Sequence, residues 1–231
     1  EISVLWLSFG SLPKRTSPLS GFFAAGFVSF FGGAAFFSAG AAAGVLPVIF
    51  TRANPYSAAF DFLELRRIPV LYRAFTRADE AYRDKVRAFA EENKSWLPDY
   101  ALFMALKRHF GMKSWTEWPD EGARLHKTDA LERYRAELRG DVELFTYIQF
   151  LFFRQWSALK SYINGLGIRI IGDIPIYVAM DSSDVWSEPE KFQLDERNVP
   201  VEVSGVPPDY FSADGQLWGN PLYDYEAMQK D

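Results

Sequence analysis

Asn164-Gly165-Leu166-Gly167-Ile168-Arg169-Ile170-Ile171-Gly172-Asp173 is the stretch whose reading decides the fold. Asn164-Gly165 is a good helix stop, because glycine takes the left-handed backbone that ends a helix. Ile168 to Ile171 is a short β-branched run that reads as a buried parallel strand. Helix, tight glycine turn, strand is the grammar of α/β folds. Upstream, Phe145, Ile148, Phe152, Trp156, Leu159 and Ile163 recur at steps of three or four, which puts them on one helical face. The pattern predicts helix from Asp129 to Asn164, divided into two helices at Gly140-Asp141. Asp173 then stands at the C-terminal end of the predicted strand. It is either a turn carboxylate or a site residue. In a (β/α)₈ barrel that end of the strand faces the active site.

Working back towards the start, Pro69 suits the first turn of a helix, since its missing N–H would be unpaired there anyway. A charged helical stretch is expected from Pro69 towards Asn93. A second helix is expected after Ser95, with Pro98 at its start, Tyr100, Phe103, Leu106 and Phe110 on one face, and Gly111 as its stop. Trp115 and Trp118 follow in a loop closed by Pro119. Gly21 to Phe50 holds no charge over 30 residues. That would suffice to cross a bilayer, where about 20 apolar residues are needed. Recurrent glycines, Pro47 and the lack of a flanking Trp/Tyr belt argue against a span. The segment reads as buried soluble core, with a membrane span and an altered sequence as the alternatives.

Composition narrows the function. The 231 residues are 48% hydrophobic and 24% charged, an ordinary globular balance, and 17% aromatic, which is high. Many of those rings must pack, and some are free to stack on a ligand. No cysteine is present, so disulfides and cysteine zinc sites are excluded. The two histidines, His109 and His126, are far apart and read as ordinary helix-surface or helix-end residues, not as a metal site or a triad. Net charge is −5, with net −10 carried from Gly172 onward. An acidic segment repels phosphate backbones, which argues against nucleic acid.

Beyond Asp173 the chain is rich in Pro, Gly, Asp and aromatics and reads as a long ordered loop region. Two constellations stand out in it. Gly205-Val206-Pro207-Pro208-Asp209-Tyr210-Phe211-Ser212 sets two rings side by side behind two stiff prolines. Either one ring packs inside while the other caps the loop, or one stacks on the apolar face of a sugar. Gly215-Gln216-Leu217-Trp218-Gly219-Asn220-Pro221-Leu222-Tyr223 offers an indole N–H, an amide and a phenol, groups suited to hydroxyls and equally to a structural turn. Asp181, Asp184, Glu188, Glu190 and Glu202 read as solvated loop and helix-start charges, and no pair stands out as the two carboxylates of glycosidic chemistry.

Taken together, GDIPIYVAMDSSDVW, FQLDE and GVPPDYFSADGQLWGNPLYDY resemble the amylomaltase, or 4-α-glucanotransferase, family in order and spacing. YIQFLFFRQW, GLGIRIIGDIPIYV and SWLPDYALFMALK extend the resemblance back to about Lys94. The N-terminal quarter resembles the family less: Gly10–Pro13 its opening loop, Ala24–Phe31 its first helix, Leu46-Pro47 a strand end, and Asn54-Pro55-Tyr56-Ser57 its Ser-Pro-Tyr segment.

The resemblance implies an α/β fold: a partial (β/α)₈ TIM barrel with an inserted, mainly helical subdomain. Residues 1–66 would hold the first barrel strands and loops, 67–165 the helical insertion and barrel helices, and 166–231 a barrel strand with the active-site loop insertion. It implies retaining transfer of α-1,4-glucan segments between malto-oligosaccharides, without metal or organic cofactor, in the cytoplasm or, in a plant, a plastid. It makes Asp173 the active-site aspartate of an early strand, Tyr56 the tyrosine beside the donor sugar, Tyr210 and Phe211 the tip of a loop covering the glucan, and Trp218 and Asn220 part of the acceptor side. The family's nucleophile lies in an Arg-x-Asp-His segment that this sequence does not contain, and its acid/base glutamate follows later still. The 231-residue chain alone is therefore expected to be inactive. A non-catalytic α-glucan-binding module is the alternative, and membrane association through Gly21–Phe50 a third.

Overall fold

The computed structural model describes residues 4–6, 50–51, 54–58, 63–172 and 175–229. Asp173 lies outside them, as do the Gly10–Pro13 loop, the Ala24–Phe31 helix and Leu46-Pro47. The described residues form two compact units. The first takes in those up to residue 101 together with 139–172, and the second takes in 102–138 and 175–229.

In the first unit, strand β1 (Val4–Trp6) pairs parallel with the strand read from the opening stretch, in register Val4↔Arg169, Leu5↔Ile170 and Trp6↔Ile171. A short antiparallel pair, β2 (Phe50–Thr51) and β3 (Asn54–Ala58), follows it in the chain. A π-turn over Leu63–Arg67 leads into α1 (Ile68–Thr76), with Pro69 in its first turn as expected. The expected single stretch from Pro69 to Asn93 is in fact two helices. Asp79 caps the second, α2 (Glu80–Glu92), by accepting from the Tyr82 N–H at 2.8 Å. That carboxylate satisfies an end N–H that an uninterrupted helix would have bonded itself.

The next helix is α3 (Leu97–His109). It does not present a single apolar stripe: every residue from Ala101 to Lys107 is buried. A helix covered on all sides needs apolar or paired residues all round, which periodicity alone does not reveal.

The helical region after Asp129 does divide, but at Leu138, between α5 (Thr128–Glu137) and α6 (Arg139–Gly165). The short helix α4 (Glu121–Arg124) precedes them. Leu138 still donates to the Tyr134 carbonyl at 2.8 Å while its ψ swings to 22°, so the break needs no glycine. Gly140 sits in the first turn of α6. At the far end the left-handed residue is Gly167, at φ +77°, two residues past the expected stop. There the Ile168 N–H reaches back to the Ile163 carbonyl at 3.3 Å, the six-to-one bond of a Schellman ending. Strand β4 (Arg169–Ile171) follows at once. It is parallel, as expected, but not buried: Arg169 and Ile171 are exposed. Among the described residues its one ladder partner is β1.

Aromatic rings hold α1 and α2 against α6. Phe75 stacks on Tyr147 at 5.0 Å. Tyr82 and Phe89 meet Phe150 edge-on at 5.7 and 5.8 Å. Phe89 and Trp96 both reach Phe153, at 5.5 and 5.8 Å. Such pairs contribute about 0.5–1.5 kcal/mol each beyond area burial. Burial pushes the Tyr100 phenol up to about 12, against a hydrogen bond with Gln149, so it is neutral at physiological pH.

The second unit is built around three indoles. Trp118, Phe103 and Trp186 lie 5.6–5.8 Å from one another. Trp118 also reaches Phe110 at 5.4 Å, and Phe110 reaches Tyr134 at 5.8 Å. Each indole N–H has an acceptor: Trp115 the Met180 carbonyl at 2.7 Å, Trp118 that of Lys113 at 3.3 Å, and Trp186 that of Ala123 at 2.8 Å. Buried Trp is stable when its polar edge is satisfied in this way.

Asp120 caps α4. The Ala123 N–H, then the Tyr134 hydroxyl and the Arg133 charge, outweigh partial burial and hold its carboxyl below the ordinary carboxylate range. A depressed carboxylate contributes stability that is complete above the unfolded value of about 3.9 and is lost as pH falls through the folded one. Asp120→Asn, which keeps a capping oxygen and loses the charge beside Arg133, is expected to cost about 0.2–1 kcal/mol at pH 7. Its difference from the unaltered chain should shrink below pH 3, as read by urea unfolding at both pH values.

Candidate functional site

Asp173 and Tyr56 offer no side-chain geometry: the first lies outside the described residues, and the second is described only as the central residue of β3. The other four candidates, Tyr210, Phe211, Trp218 and Asn220, fall together in the second unit. The segment that reads as loop there is organised by short elements. They are a helix, α7 (Ser183–Ser187), an antiparallel hairpin of β5 (Val203–Val206) and β6 (Gln216–Pro221), and a final turn of helix, α8 (Tyr225–Met228). The hairpin escapes a β-branched search because its strands contain Gly205, Gly219 and Pro221. A Cβ on Gly205 would lie 2.6 Å from the Gln216 carbonyl oxygen, so the two strands close only over a glycine.

The hairpin loop is braced from within. The Asp209 carboxylate accepts from the N–H groups of Phe211 and Ser212 at 2.9 and 2.8 Å. The Asp209 N–H returns to the Ser212 carbonyl at 2.9 Å, and the Ser212 hydroxyl donates to the Gly215 carbonyl at 2.7 Å. Gly215 closes the loop at φ +72°, where a Cβ would stand 2.6 Å from the Val206 oxygen. Gly215→Ala is therefore expected to destabilise the fold by about 1–3 kcal/mol, seen as a lower urea midpoint.

On that brace, Tyr210 is 97% and Phe211 90% exposed, edge-to-face at 5.8 Å. Neither ring packs inside, so of the two readings the sequence left open, one inside and one capping does not hold. Trp218 is 42% exposed, with its indole N–H on the Gln216 amide oxygen at 3.0 Å and its ring 6.1 Å from that of Tyr177. Asn220 is half-buried. Its amide nitrogen donates to the Val178 carbonyl at 2.9 Å, and its backbone N–H donates to the Ser204 hydroxyl at 3.2 Å.

One carboxylate departs from its sequence reading. Asp181 is not a solvated loop charge. Its Oδ2 accepts from the Lys107 ammonium at 2.6 Å and its Oδ1 from the Trp115 N–H at 3.2 Å. Lys107 is only 3% exposed and also donates to the carbonyls of Lys113 (2.8 Å) and Met112 (3.3 Å). Sequence offered one overlooked signal, a lysine directly after the apolar run of residues 101–106, where a buried ammonium is seldom found without a carboxylate. Asp184, Glu190 and Glu202 are exposed as expected, and Glu188 pairs with Lys191 at 2.7 Å. His109 closes α3 against Phe110, and His126 packs its ring 4.5 Å from Trp186. Among the described residues no three His, Cys, Asp or Glu side chains gather as a metal site would need, and no helix is long and apolar enough to cross a membrane.

Against known proteins, residues 50–231 match the sequence pattern of a family described as 4-alpha-glucanotransferase. The chain is 46% identical over 165 residues to a 4-alpha-glucanotransferase of Clostridium butyricum, covering 71% of this chain and 34% of that protein. It is 48% identical over 166 residues to one of Streptococcus pneumoniae, covering 71% and 33%. It is 40% identical over 168 residues to a Solanum tuberosum protein named as chloroplastic/amyloplastic, covering 71% and 29%. Among solved structures it is similar to an amylomaltase from Streptococcus agalactiae in complex with acarbose, at TM-score 0.71 and 41% identity over 77% of this chain and 36% of that one. The chain thus spans about a third of the length of these relatives.

Proposed function

The chain belongs to the 4-alpha-glucanotransferase family, and on that premise we propose that it supplies one wall of a glucan-binding cleft in an enzyme that moves α-1,4-glucan segments between malto-oligosaccharides. The observation that carries the reading is the pair of rings on the braced loop. Two adjacent aromatic side chains, 97% and 90% exposed, are costly to hold in water and are held there by a loop rigid in its own hydrogen bonds. A flat ring meeting the C–H face of a glucose unit is the contact such an arrangement serves.

In this reading Tyr210 and Phe211 cover the bound chain. Trp218 stacks beside it on the acceptor side. Asn220, whose nitrogen donates to Val178 and whose amide oxygen accepts from the Ser204 hydroxyl at 3.4 Å, offers the second lone pair of that oxygen there. Asp173 and Tyr56 line the donor side, on an early strand of a (β/α)₈ barrel whose helical insertion is the 67–165 segment, between barrel portions at 1–66 and 166–231. The reaction retains configuration. A carboxylate outside this chain takes the anomeric carbon while a second carboxyl group protonates the 4-oxygen of the departing glucan; the 4-hydroxyl of an acceptor, giving its proton back to that second group, then displaces the first carboxylate. Rings over the cleft exclude water, which would otherwise intercept the ester and turn transfer into hydrolysis. No group in this account needs a metal or an organic cofactor. The compartment proposed is the cytoplasm, or a plastid in a plant.

Linkage selectivity tests the reading. Titration of the 231-residue chain is expected to show saturable binding of maltoheptaose and none of cellohexaose. Maltotriose is expected to pass unchanged, because the Arg-x-Asp-His segment is absent from the sequence. Equal binding of both glucans, or of neither, would overturn the glucan reading; disproportionation of maltotriose would overturn the placing of the nucleophile outside the chain.

A further inference from the structure

The loop that carries the exposed rings is braced from within, and the hairpin beneath it has a second set of contacts. Behind the hairpin runs a continuous path of short contacts, all within the second unit. Asn220 on β6 holds the Val178 carbonyl at 2.9 Å. Two residues on, the Met180 carbonyl takes the Trp115 indole N–H at 2.7 Å. The next residue, Asp181, is clamped by Lys107 at 2.6 Å and the Trp115 N–H at 3.2 Å. Lys107, in the buried stretch of α3, is in turn held by the Lys113 carbonyl at 2.8 Å. Tyr177 adds a ring contact to Trp218 at 6.1 Å. A buried ion pair adds little to stability compared with apolar packing, but it fixes geometry, because neither charge has another place to go.

We propose that Lys107, Asp181 and Trp115 are positioning residues: through the 178–181 segment and Asn220 they set where the hairpin carries Tyr210, Phe211 and Trp218. The use of that geometry for glucan rests on the family reading above. None of the three touches the sugar. Their effect reaches it through the hairpin alone, so cutting the path at any one link should abolish the influence of links further back.

Hydrogen exchange of the intact chain tests this in a double-mutant cycle. Trp115→Phe removes the donor to Met180 and keeps most of the packing. Asn220→Ala removes the link to Val178. Each alone is expected to raise exchange of the Val203–Pro221 amides about tenfold, with the α5 amides unchanged as the control for global opening. Together they should raise it about tenfold in all, not about a hundredfold, because both cut one path. Asp181→Asn, which keeps the shape and loses the charge, is expected to raise hairpin exchange at least as much, and to raise it above the α5 amides, whose own rise reads the global cost of leaving Lys107 without a counter-charge. Multiplicative effects, or hairpin exchange unmoved by Trp115→Phe and Asp181→Asn, would overturn the proposal. In parallel, maltoheptaose affinity should fall with each single change and no further in the double. A wild-type chain that binds no maltoheptaose would sink the glucan reading, while the exchange cycle still decides the positioning role.

Discussion

Asp181→Ala is expected to lower the unfolding free energy by about 3–5 kcal/mol, the usual cost of leaving one member of a buried ion pair alone. Lys107 would keep two carbonyl partners, at 2.8 and 3.3 Å, but no counter-charge, in a site where it is 3% exposed. The Trp115 N–H would lose its acceptor at the same time. Urea unfolding followed by tryptophan fluorescence reads the change directly. The pair Lys107→Met with Asp181→Leu is expected to recover most of the loss, since apolar residues of similar size need no partner. A loss below about 1 kcal/mol for Asp181→Ala would mean that water reaches the ammonium and that the pair behaves as a surface bridge.

Trp186→Ala should cost a similar amount, about 3–5 kcal/mol, by a different route. Trp186 is 1% exposed, and its ring lies 5.6 Å from Phe103 and 5.8 Å from Trp118. Removing it opens a cavity in the middle of the second unit's core and takes from the Ala123 carbonyl the indole donor at 2.8 Å, leaving it the weaker backbone contacts of the helix end, such as the His126 N–H at 3.4 Å. Trp186→Phe separates the two effects. It refills much of the space but cannot donate the indole hydrogen bond to that carbonyl, so about 1 kcal/mol of the loss should persist.

These two predictions show where the sequence was legible. Regular periodicity carried what it could: the 129–164 helical region, the Pro69 start, and the parallel sense of Arg169–Ile171 all follow from local spacing and turn chemistry. The misplaced features are those fixed by contacts distant in sequence. Lys107 and Asp181 are 74 residues apart, and nothing near either announces the other. Asp181 by itself looks like any loop carboxylate. The hairpin is hidden for a related reason: its strands pair because Gly205 and Gly215 allow close backbone approach, not because their side chains favour strands. The helix breaks at Leu138 and not at the nearby Gly140, because a leucine can turn the backbone there at no steric cost. Tyr210 and Phe211 were singled out as a pair by their stiff prolines. Their exposure, which decides between packing and display, depends on the Asp209 and Ser212 bracing that only the folded loop reveals.

The central claim is that the two displayed rings grip an α-1,4-glucan, and titration of maltoheptaose into the unaltered chain, Tyr210→Ala, Phe211→Ala and the double variant tests it most directly. The rings are exposed, so none of these changes should move the urea midpoint appreciably. Each single change is expected to weaken binding about two- to tenfold, matching roughly 0.5–1.5 kcal/mol per stacked ring, and the double change to weaken it by about the product. Affinity unchanged in the double variant, with the fold intact, would contradict the account.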